Sequence, residues 1–113
     1  KLGLKFIDFK GCDDKLDEKI TKIVRGKEVY LSLDMDVVDP REAGGVCNPE
    51  PPGISYLQFV DCLGFLKQVK LVGFDLVEVA PLYDSYTQIL AAKLIFKILL
   101  KNEVKNRPGA LAD

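Results

Sequence analysis

Val29-Tyr30-Leu31-Ser32-Leu33-Asp34-Met35-Asp36-Val37-Val38-Asp39-Pro40 is the stretch on which the reading of this 113-residue chain turns. It starts as a run of apolar and β-branched residues, the composition of a buried strand. It ends in two acids one residue apart, then a third acid and a proline. Side chains alternate faces along a strand, so Asp34 and Asp36 are expected on one side, their Cα atoms about 6.6 Å apart. Converging carboxylates repel unless a proton or a cation sits between them, and hard divalent cations take such oxygen ligands. The alternative is a strand that has run out into solvent, its acids simply hydrated. Residues downstream decide between the two.

On the C-terminal side, Pro40 to Gly53 holds Gly44, Gly45, Pro49, Pro51 and Pro52, too many breakers for a regular element. A loop of that length on the acidic end of a strand is placed to wall a site. Ser55-Tyr56-Leu57-Gln58 has the form of a capping box, and Phe59, Val60, Leu63 and Leu66 continue a helix interrupted only by Gly64. Leu71 to Val79 reads as another strand, with Phe74 and Leu76 on one face, Asp75 and Val77 on the other, and Glu78 at its C-terminal end. The longest helix follows, from Thr87 to about Asn102. It is apolar almost all round, with Lys93, Lys97 and Lys101 as its one wet stripe. Residues 103–113 read as a tail.

On the N-terminal side, Leu4 to Phe9 reads as a short strand and Lys10-Gly11 as a turn. Asp13 or Asp14 is expected to cap a helix with Leu16, Ile20, Ile23 and Val24 on one face and Gly26 just past its end. The order strand–helix three times over predicts an α/β fold with a parallel sheet and helical crossovers. In such sheets ligands gather beyond the carboxyl ends of the strands, where Asp34, Asp36, Asp39 and Glu78 all fall.

Composition narrows the function classes. Apolar residues make up 48% and the net charge is −1, which suits a globular protein and offers no basic excess for nucleic acid. No apolar run reaches the length of about 18 residues that a membrane span needs. Cys12, Cys47 and Cys62 are widely spaced and odd in number, so they read as reduced thiols in a cytoplasmic protein. The chain has no histidine, which excludes a Ser-His-Asp or Cys-His site, or a His-ligated metal, built from these residues alone.

Ser32-Leu33-Asp34-Met35-Asp36-Val37-Val38-Asp39-Pro40 resembles the S-x-D-x-D-x-x-D-P signature of the ureohydrolases, the arginase and agmatinase family. Glu42 to Gly53 is similar to that family's A-P-G-T-G-T-P-E-P-G-G loop, though it reads Gly45-Val46-Cys47-Asn48 where G-T-G-T is expected. Gly73 to Asp84 matches its G-x-D-x-V-E-x-x-P-x-x-D segment in the form seen in agmatinase-like members, and Thr87 with Ala91-Ala92 opens the last helix as it does there. The resemblance implies a three-layer α/β/α architecture of which this chain, as a single domain or part of one, forms the C-terminal portion.

The resemblance further implies hydrolysis of a guanidino compound, agmatine-like or arginine-like, to urea and an amine at a binuclear manganese centre. Asp34 would bridge two Mn²⁺ ions, Asp36 would bind one of them, and Glu78 would pair with the substrate guanidinium. Asp39 and Asn48 would lie in the surrounding shell or fix the loop. The complete protein would be a trimer or hexamer acting on a small guanidino substrate, with no nucleic-acid or membrane partner. The family's other ligands sit in G-G-D-H and D-A-H-x-D motifs, which this chain lacks, so the isolated chain is expected to bind metal weakly and not to turn over.

Two other readings remain. Asp34-Met35-Asp36-Val37 also suits the D-x-D-x-[TV] start of a haloacid-dehalogenase-type phosphatase with Asp34 as nucleophile, although the Pro-Gly loop and the Val-Glu-x-x-Pro segment tell against it. The missing histidines also suit an inactive ureohydrolase module that acts in assembly or regulation.

Overall fold

The computed structural model describes residues 3–8 and 15–106. Helix α1, Leu16–Val24, forms where the apolar positions line one side, and Ile20 and Val24 pack against the core. Asp17 and Glu18 in its first turn and Lys22 in its last complement the helix dipole. The helix stops at Gly26, whose φ of 73° puts it in the left-handed region that glycine enters without penalty. The expected caps Asp13 and Asp14, along with Phe9, the turn at Lys10-Gly11 and Cys12, lie outside the described residues.

A first strand is not formed over the described part of Leu4 to Phe9. Residues 3–8 pair with no strand, and Leu4 and Phe6 stand 67% and 83% exposed. A strand exists only where a neighbour supplies complementary N–H and C=O groups, and no described segment runs alongside this one.

The sheet consists, among the described residues, of two parallel strands, β1 (Glu28–Asp34) and β2 (Lys70–Val77). Their register runs from Glu28 beside Lys70 to Asp34 beside Val77, with one irregularity between Val29 and Tyr30. There Gly73 lies under the Tyr30 ring, and an added Cβ would come within 3.0 Å of it. Val29, Leu31, Leu33, Phe74 and Leu76 face the core. On the opposite face Tyr30 Oη and Ser32 Oγ donate to the two carboxylate oxygens of Asp75 at 2.8 and 2.7 Å. That acceptor raises the Tyr30 phenol above its ordinary pKa.

The crossover carries helix α2 (Tyr56–Cys62), begun by the expected capping box: Ser55 accepts from the Gln58 N–H while the Gln58 side chain accepts from the Ser55 N–H. Past Cys62 the chain winds tighter into a 3₁₀ helix, Leu63–Gln68, instead of continuing as α-helix. This turns Leu63, Phe65 and Leu66 inward. It also brings Gly64 against α1, where a Cβ would sit 2.6 Å from an Asp17 carboxylate oxygen.

Helix α3 spans Thr87–Asn106, so the first four residues of the expected tail are helical, and residues 107–113 lie outside the described region. Leu90, Ala91, Leu94 and Ile98 are buried, whereas Ile89, Phe96, Leu99 and Leu100 remain exposed. The helices and sheet share one hydrophobic core on the Leu31–Leu33 side. The result is an α/β fold with parallel strands, and among the described residues no helix is long and apolar enough to cross a membrane.

Candidate functional site

The carboxyl ends of β1 and β2 lie side by side, because parallel register sets Asp34 next to Val77. Glu78 is the next residue and is exposed, so the acids of both strands reach one edge.

Asp34 and Asp36 do not share one face of a continuing strand as expected. The ladder ends at Asp34, and Met35–Val37 form a 3₁₀ turn capped by Asp34, whose Oδ1 accepts from the Asp36 N–H at 2.9 Å. An aspartate side chain competes with the sheet for local backbone donors, and at this position it wins. The turn buries Met35 completely and leaves Asp36 half-buried beside an apolar groove of about 500 Å³ between α1, the loop and α2. Asn48 meets Asp36 through its backbone, its N–H lying 3.4 Å from Asp36 Oδ1.

Asp39 is buried and fully used. Oδ1 accepts from the Arg41 N–H at 2.9 Å and from Arg41 Nε at 2.8 Å, while Oδ2 accepts from Arg41 Nη2 at 3.0 Å and the Gly53 N–H at 3.2 Å. The Arg41 guanidinium is the chief reason that the Asp39 carboxyl is held far below the usual carboxylate range. Around it the two ends of the loop are stitched together: the Ile54 N–H donates to Val37 O and the Asp39 N–H to Ile54 O, both at 2.9 Å. Gly53 is required at this crossing, since a Cβ would collide with the Asp39 backbone. The Glu42 carboxylate accepts from the Tyr56 N–H at 2.6 Å and ties the same loop to the start of α2.

The other half of the loop is joined to the segment after β2. Val46 bridges Val79 in antiparallel fashion, and the Ala80 N–H donates to Gly45 O at 2.8 Å. Between Val77 and this bridge Glu78 adopts φ 67°, a left-handed conformation costly for a residue with a Cβ and often found at functional positions. The Gly45 N–H in turn donates to Thr87 Oγ1 at 2.8 Å, and the Thr87 hydroxyl donates to Asp84 Oδ2 at 2.8 Å. Asp84 Oδ1 accepts the Thr87 and Tyr86 N–H groups, and the Thr87 N–H and hydroxyl, with smaller help from the Tyr86 and Gly45 N–H groups, lower its pKa. Sequence reasoning placed Asp84 and Thr87 in a matching segment without assigning either a task; the signal was the Asp-x-x-Thr spacing at a helix start.

Asp34 and Asp36 offer oxygen donors of the kind a hard divalent cation prefers. Among the described residues, however, no three His, Cys, Asp or Glu side chains gather closely enough to hold a metal ion. The donor chemistry fits and the number of donors does not. Cys47 and Cys62 are free thiols, the first exposed and the second half-buried.

Comparison with known proteins shows the family and the fold. The chain is 35% identical over 105 residues to a guanidinobutyrase of Pseudomonas aeruginosa, an alignment covering 88% of this chain and 33% of the relative. Proclavaminate amidinohydrolase of Streptomyces clavuligerus superposes with a TM-score of 0.73 at 38% identity, covering 76% of this chain and 29% of that one. The agmatine ureohydrolase of Thermoplasma volcanium gives a TM-score of 0.71 at 36% identity, over 83% and 31% respectively. The chain thus spans about a quarter to a third of the length of the curated relatives it matches. The arginase family model matches residues 1–101, nearly the whole sequence, and the chain belongs to the arginase family.

Proposed function

We propose that this chain supplies one wall of a ureohydrolase active site, in a protein that hydrolyses a small guanidino compound to urea and an amine. The observation that carries this reading is the register that sets Asp34 and Glu78 at one sheet edge, under a loop pinned to both strand ends. Asp34 and Asp36 would act as oxygen ligands to a pair of Mn²⁺ ions, which when bound supply Lewis acidity and an acidified water. Glu78 would accept charge-assisted hydrogen bonds from the guanidinium. Asp39 holds the loop and Asn48 steadies Asp36 through its backbone, neither ligating directly. Because the described donors number too few, the centre is completed by groups beyond these residues, and the 113-residue chain alone does not turn over.

The setting in this reading is cytoplasmic, with the complete protein a trimer or hexamer. Membership of the arginase family displaces the phosphatase reading of Asp34. A second reading is favoured by the incomplete donor set: a non-catalytic arginase-family module that acts in assembly or regulation. Urea release from agmatine with Mn²⁺ present separates the two, measured on the chain alone and on the protein that contains it. Activity confined to the larger protein and abolished by Asp34→Asn supports the enzymatic role. A larger protein indifferent to that substitution overturns it.

A further inference from the structure

Glu78 is the one residue with a Cβ that the described backbone holds at positive φ, and nothing in its own side chain explains how it stays there. The restraint comes from its C-terminal neighbours. Val79 is bridged to Val46, and the Ala80 N–H is bound to Gly45 O at 2.8 Å, so the position of the Gly45 peptide decides where the chain leaves Glu78. Gly45 is buried, and its N–H donates to the hydroxyl of Thr87, itself only 1% exposed, with the Asp84 carboxylate close enough to share that donor. That hydroxyl donates to Asp84 Oδ2, which leaves an oxygen lone pair aimed at the Gly45 N–H. Close fit adds to the restraint: a Cβ on Gly45 would lie 2.6 Å from Asp84 Oδ1.

We propose that Thr87, oriented by Asp84, is a positioning residue that holds the Gly45 peptide and through it the left-handed backbone of Glu78, aiming its carboxylate at the substrate guanidinium. The last step rests on the reading of Glu78 given above; the backbone relay does not. In hydrogen-bond terms the order is Asp84 carboxylate, Thr87 hydroxyl, Gly45 N–H, and then, through the Gly45 carbonyl, the Ala80 N–H. Removing the hydroxyl takes the 2.8 Å acceptor from a buried donor at Gly45 and leaves it only the Asp84 carboxylate, which must shift to reach it, so the 44–46 segment is freed to turn toward water. The strained φ at Glu78 then relaxes, since such conformations persist only while their surroundings over-determine them.

The test is nuclear magnetic resonance on the full chain, comparing Thr87→Val, Thr87→Ser and the parent. A left-handed residue has a short intraresidue distance from amide proton to Hα, so Glu78 should show a strong intraresidue cross-peak in the parent and in Thr87→Ser. In Thr87→Val that peak should weaken and the Ala80 amide should exchange with solvent about tenfold faster, while the amides of Leu90 to Ile98 keep their protection. An unchanged Glu78 signature in Thr87→Val overturns the proposal. So does its loss only together with fraying of the α3 amides, which would make Thr87 a helix-start residue and nothing more. Binding of agmatine to the Mn²⁺-loaded complete protein tests the functional reading separately. If Glu78→Gln leaves that affinity unchanged, the guanidinium role fails while the backbone result stands. If Glu78→Gln weakens binding and Thr87→Val does not, Thr87 does not aim the Glu78 carboxylate, the positioning proposal is overturned, and the role of Glu78 stands.

Discussion

The acids at this sheet edge divide into two groups that composition alone cannot tell apart. Asp39 and Asp84 have both carboxylate oxygens committed to partners: Arg41 and the Gly53 N–H in one case, Thr87 and the Tyr86 N–H in the other. Both are held below the ordinary carboxylate range by those bonds. Asp34 and Glu78 are exposed, and Asp34 gives only one oxygen to a local backbone donor. The first pair shapes the loops, and the second keeps lone pairs open to solvent, which the proposed function assigns to a cation and a guanidinium. A carboxylate at a strand end becomes available for chemistry when another carboxylate nearby does the structural task.

This division can be broken from either side. The largest effect is expected at the loop crossing: Gly53→Ala forces a Cβ into the Asp39 backbone and should destabilise the protein by about 3 kcal/mol in urea titrations. Next comes acid sensitivity. A carboxyl whose folded pKa is depressed contributes stability above its unfolded value of about 4, and loses it as pH falls toward the folded value. Asp39→Asn should therefore lower the melting temperature at pH 7, with the gap to the parent closing below about pH 4.

Glu78 behaves in the opposite sense. Glu78→Gly removes the penalty of a positive φ and should raise stability by about 1 kcal/mol while abolishing guanidine binding by the complete protein. The smallest effect belongs to Asp34→Asn, which keeps an acceptor for the Asp36 N–H and should change the unfolding free energy by less than about 0.5 kcal/mol. A large loss there would move Asp34 into the structural group and erase the distinction.

Much of this was legible in the chain. Alternation in Val29–Leu33 and Phe74–Leu76 reported the core face of both strands, Ser55 and Gln58 announced the start of α2, and Gly26 marked the end of α1. These are local effects, written in the period of a few consecutive side chains. The misplaced features depend on distant partners. Leu4 to Asp8 has strand composition but no described neighbour to pair with. Asp36 leaves its expected strand where Asp34 takes its N–H and Val38 bridges the distant Ile54, and the 3₁₀ winding after Cys62 brings Gly64 close against α1.

By itself the sequence determined the order of the elements, the faces they bury and the strand ends at which the acids fall, since each follows from the spacing of apolar residues along the chain. Tertiary structure decided which of those acids is spent and which is open. That choice depends on donors far away in sequence, such as Gly53 for Asp39 and the peptide of Gly45 for the pair Asp84 and Thr87, and only folding brings them within hydrogen-bond reach.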